Sequence, residues 1–106
     1  MTSQGSASGR FQRALRTGSL FQAELAAREM GGLGLGQALA LCQLLASESD
    51  PRFERAAVRW HGRFAVERNV GSLAESQFVL AALTALPTRP EIAEMLEALA
   101  RSHGVR

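Results

Sequence analysis

The sequence predicts an all-α domain of five to six helices packed as antiparallel hairpins, with no sheet. Three observations predict it. Ala and Leu dominate the apolar residues while β-branched residues are scarce, a mix that favours helix over strand. Apolar residues recur at three- and four-residue spacings, and no useful length alternates with period two. Helix-start and helix-stop residues punctuate the chain at regular intervals. At 106 residues the chain fits one domain, residues 10–106, behind a polar lead over 1–9 (MTSQGSASG) that reads as disordered. A domain of this size buries roughly two-thirds of its unfolded surface, enough for a core without staples.

The first helix is short, over about 10–16, and Thr17-Gly18 breaks it. Ser19 with Gln22 forms a capping box that opens a second helix to about Met30. Gly31 and Gly32 end it, because glycine accepts the left-handed geometry after a helix. A third helix covers 35–47. Asp50-Pro51 then supplies an N-cap and a proline at the first helical position for a fourth helix, to about Arg68. Asn69-Val70-Gly71 is a turn. Ser72 with Glu75 caps a fifth helix, to about Leu86, which Pro87 stops. Thr88 with Glu91 is the third capping box, with Pro90 in the first turn, Pro87 placed to staple onto Ile92, and an end near His103-Gly104.

These helices differ in kind. The third (LGQALALCQLLA) and the fifth (SLAESQFVLAALTAL) are apolar nearly all round, so both are expected to be central. The second, fourth and sixth are amphipathic. In the sixth, Ile92, Met95, Leu96 and Leu99 form one face and Glu91, Glu94 and Glu97 the other.

A partial internal match appears at an offset of 33 residues: Leu20 falls on Phe53, Ala23 on Ala56 and Ala27 on Trp60. Gly18, Leu20, Ala23 and Ala27 resemble the second half of a tetratricopeptide repeat. The second copy has Pro51 at the glycine position, the third shifts register around 91–98, and the first-helix signature of the family is not visible. The resemblance covers about half the chain. It implies a short stack of helical hairpins that binds peptides or partner proteins. Packing geometry alone also places small residues where helices cross.

The net charge is only +2, and all twelve basic residues are Arg. So small a surplus does not by itself imply nucleic acid or membrane. Cys42 is the only cysteine, so no internal disulfide can form. The lead has no apolar stretch of a signal peptide, and the longest apolar run, 33–46, is too short to span a bilayer. The expected setting is cytoplasmic, with no membrane association.

The sharpest functional feature lies in 51–68, PRFERAAVRWHGRFAVER. At about 100° per residue, Arg52, Arg55, Arg59 and Arg63 share one helix face, and Phe53, Ala57, Trp60 and Phe64 share its neighbour. The row is the candidate partner-binding surface, with Arg10, Arg13 and Arg16 as possible extensions. Glu54, Glu67 and the acidic 47–50 turn dilute it, and Arg63 is spaced to pair with Glu67. Phe53, Trp60 and Phe64 read as a core aromatic cluster or as an exposed hot spot.

No catalytic, metal or cofactor site is expected. Gly32-x-Gly34-x-Gly36 resembles a phosphate loop only in its glycines, since no strand precedes it and no Gly-Lys-Ser/Thr follows. His61 has no ligand partner at metal spacing, His103 sits at a helix end that favours a cation, and Cys42 reads as an inert core thiol. The expectation is a non-enzymatic protein–protein interaction module acting as adaptor, regulator or self-associating subunit, a homodimer being one form. One route to self-association sets the arginine row against the Glu91, Glu94 and Glu97 face of another copy. The alternative is a nucleic-acid-binding protein that grips phosphates with the row.

Overall fold

The computed structural model describes residues 6–68 and 72–104, the last two by backbone only. Six helices follow one another: α1 (Ala7–Thr17), α2 (Leu20–Met30), α3 (Leu35–Ser47), α4 (Phe53–Glu67), α5 (Leu73–Ala85) and α6 (Ile92–Gly104). No strand occurs among the described residues, so the fold is all-α as predicted.

Local hydrogen bonding sets the helix ends. Ser19 Oγ accepts from the Gln22 N–H at 3.3 Å, and Ser72 Oγ from the Glu75 N–H at 3.2 Å, as the capping patterns predict. Gly18 and Gly31 close α1 and α2 at φ 75° and 78°, where a side chain would be strained. The start of α1 is a correction: Ser6 Oγ accepts from the Gly9 N–H at 2.9 Å, so the helix begins at Ala7 and not near Arg10. Residues 1–5 of the expected lead lie outside the described residues, as does the expected turn at 69–71. At α3 the Gly34 N–H donates to Gln37 Oε1 at 2.9 Å, a cap not read from the sequence.

Two more starts differ. Asp50 shapes a turn ahead of α4 and does not cap the helix itself. Its Oδ1 accepts from the Arg52 N–H at 2.8 Å and its carbonyl from the Phe53 N–H at 3.0 Å. The expected Thr88–Glu91 box is absent. The Thr88 hydroxyl instead donates to the Ala85 carbonyl at 3.2 Å, which also accepts from the Thr88 and Arg89 N–H groups at 3.1 and 2.8 Å, and Glu91 pairs with Arg89.

The core has two parts. Helices α3 to α6 enclose the larger, around Leu39, Trp60, Phe64, Val79, Leu83 and Leu96. The α1–α2 hairpin forms the smaller by closing Phe11, Ala14, Ala23 and Ala26 onto Leu44 of α3. Helix α3 is therefore central, as predicted, and packs against α1, α2, α4 and α6. Helix α5 is not. It packs against α4 and α6, buries Val79, Ala82 and Leu83, and leaves Leu73, Phe78 and Leu80 exposed. The physical reason is coverage: the α1–α2 hairpin folds over α3 and leaves α5 at the edge. No helix among the described residues is long and apolar enough to cross a membrane.

Candidate functional site: the two grooves beside α4

The inner face of α4 is core. Trp60 and Phe64 are almost fully buried and stack with ring centroids 5.4 Å apart and planes 10° from parallel. The Trp60 indole N–H donates to the Leu35 carbonyl at 2.8 Å, which satisfies its one polar atom and ties α4 to the start of α3. Of the two readings of the aromatic cluster, the core reading is the one observed.

The outer face carries the arginines, but they do not act alike. Arg52 sits in the turn before α4. It holds both Asp50 carboxylate oxygens at 3.0 and 3.1 Å and reaches Glu24 of α2 at 2.8 Å. Arg63 is half-buried and pairs with Glu67 at 2.7 Å, the i,i+4 contact the spacing predicts. Arg55 and Arg59 are exposed and make no ion pair among the described residues. Half of the row is therefore committed to carboxylates within the chain. On α1, Arg10 pairs with Glu29 of α2. That helix packs against α2 and α3.

Two grooves flank α4. The one toward α5 is lined by Pro51, Arg52, Glu54, Arg55, Val58, Leu80 and Thr84, and its walls are open. The one toward α3 is a slot of about 250 Å³ lined by Leu33, Ala38, Leu41, Cys42, Ala56, Arg59, Trp60 and Arg63. Ala38 of α3 and Ala56 of α4 both line it, and side chains that small leave the two helices incompletely filled at that level.

No family model, curated protein or solved structure matches this chain. The site is therefore read from its own chemistry. His61 Nε2 lies 3.0 Å from the Ser76 carbonyl oxygen and 2.9 Å from its hydroxyl, a link between α4 and α5. Burial pushes the Cys42 thiol up to about 11, partly offset by the charge of Arg59, so the thiol stays protonated at neutral pH. Among the described residues no group of three or more His, Cys, Asp or Glu side chains is placed to hold a metal ion. The side chain of His103 lies outside the described residues.

The acidic row of α6 is also dispersed. Glu91 pairs with Arg89 at 2.7 Å and Glu97 approaches Arg101 at 3.9 Å. Glu94 and Glu97 line a groove with Gly36, Ala40 and Gln43 of α3. Sequence reasoning missed both grooves beside α4. The signal that could have found the slot is the alanine pair, one on each helix, beside an arginine.

Proposed function

We propose that this chain is a non-enzymatic helical interaction module that associates through the outer side of α4 and α5. One observation carries the reading. Val58 of α4 (60% exposed) and Leu80 of α5 (38%) line one groove, and Leu73 (75%) lies two turns from Leu80 on the same side of α5. Apolar residues gathered like this, rimmed by Arg55 and Glu54, have the layout of an interface: an apolar centre and a charged edge. A reducing, cytoplasmic setting suits a chain whose single thiol is buried.

Self-association is the form tested first. Sedimentation velocity across a concentration series is expected to show a dimer or larger species that Leu80→Glu dissociates without loss of helix content. A strict monomer at every concentration would overturn it. The nucleic-acid reading draws on fewer groups than the sequence suggests. With Arg52 and Arg63 engaged, Arg55 and Arg59 support a salt slope of only about −2, where the full row of four would give about −4. A labelled duplex that fails to bind at low salt would end that reading.

A further inference from the structure

The slot between α3 and α4 differs from the groove beside α5 in its lining. Its floor is apolar, made by Leu33, Leu41 and Trp60 with the two alanines, and the indole N–H is already spent on the Leu35 carbonyl. Three polar groups border it. The Cys42 thiol is neutral at physiological pH because burial disfavours the thiolate. Arg63 is held by Glu67 at 2.7 Å. Arg59 remains, a guanidinium with no hydrogen bond or ion pair among the described residues, close enough to Cys42 to lower its pKa electrostatically.

We propose that this slot is a binding site for a small carboxylic acid with an apolar body. The body lies on Leu41, Cys42 and Trp60, and the carboxylate meets Arg59. The sign of the ligand follows from the rim. Arg59 offers a planar donor fork matched to a carboxylate, and the apolar wall beside it strengthens a charge-assisted bond relative to open water. A cation is repelled by the same group, and a neutral alcohol leaves the fork unmatched. The size follows from the volume. An apolar cavity of about 150 Å³ takes benzene, so about 250 Å³ takes roughly ten non-hydrogen atoms. Octanoate has about that number. A ligand this small is expected to bind with a Kd on the order of 0.1–1 mM.

The inference stands apart from the self-association reading, because the slot and the α4–α5 groove lie on opposite flanks of α4. Trp60 is the only tryptophan in the chain and borders the slot, so its fluorescence reports occupancy directly. Titration of the intact protein with octanoate is expected to change that fluorescence saturably, with octanol and octylammonium at least about tenfold weaker. Arg59→Gln, an exposed position that leaves the core untouched, is expected to weaken octanoate about tenfold and leave octanol unchanged. Ala38→Leu fills the slot and is expected to abolish the response while Arg59 remains, with thermal melting as the check that it folds. Three results would each overturn the proposal: no saturable change up to about 10 mM, far above the affinity expected for so small a ligand; equal binding of octanol and octanoate; or full octanoate affinity in Arg59→Gln. The last two identify a greasy surface and not a carboxylate site. Since Arg59→Gln does not depend on repacking the core, a misfolded Ala38→Leu would leave the test decisive.

Discussion

Helices α3 and α5 are both 13 residues long, and both are apolar nearly all round. One ends up enclosed and the other at an edge. Helix α3 buries six residues, from Leu35 to Ala46, under four neighbouring helices. Helix α5 buries three between its first residue and Ala85, and shows Leu73, Phe78 and Leu80 to solvent. Composition is thus a statement about what a helix tolerates, and the order of the chain decides what it receives. The α1–α2 hairpin precedes α3 and folds back over it, contributing Phe11, Ala14, Ala23 and Ala26 to its flank. The apolar side left over on α5 is the surface from which the interaction reading starts.

The comparison can be broken with one chemical change made twice. Leu39→Ala on α3 removes a side chain only 3% exposed and is expected to cost about 2–5 kcal/mol in urea denaturation, the lost transfer energy plus the cavity. Leu80→Ala on α5 removes a side chain 38% exposed in the single chain and is expected to cost less than about 1 kcal/mol when the protein is too dilute to associate. A cost rising toward that of Leu39→Ala at higher concentration would mean that α5 is covered in solution. The natural cover would then be a second copy, and the cost at Leu80 would fall as the protein is diluted, because dissociation exposes the site again.

Much of the fold is legible in the sequence because helix ends are local. Ser19, Ser72, Gly18 and Gly31 act within a few residues of themselves, and their roles follow from spacing alone. The failures arise where a residue meets a distant or competing partner. The Thr88 hydroxyl turns back onto the Ala85 carbonyl at the end of α5 and not onto the start of α6. Asp50 is drawn to the Arg52 side chain, which also reaches Glu24 on α2, a partner 28 positions back along the chain. The candidate site shows the same limit. Helical spacing puts four arginines on one face. It says nothing of Glu24, which engages Arg52, or of Ala38, which opens the slot beneath Arg59.

The smallest expected effect sharpens the comparison by asking whether a polar junction at the end of α3 behaves differently from the apolar edge of α5. Hydrogen bonds from the Arg52 side chain, and then from its backbone N–H, hold the Asp50 carboxyl below the ordinary aspartate value. A carboxyl depressed in the folded state adds stability above its unfolded pKa and loses it as pH falls through the folded value. The contribution is therefore present at neutral pH and disappears below about pH 4. It is small, because solvent and salt screen the pair. Asp50→Asn keeps an acceptor for the Arg52 N–H, and with it the turn, but removes the titration. Its melting temperature is expected to fall less than that of the unsubstituted chain between about pH 5 and pH 3, with the gap narrowing as salt is raised. Leu80→Ala, which changes no titrating group, is expected to follow the unsubstituted chain at every pH. If Asp50→Asn followed it too, the ion pair would contribute nothing to folding, and the α3–α4 junction would rest on its backbone bonds alone.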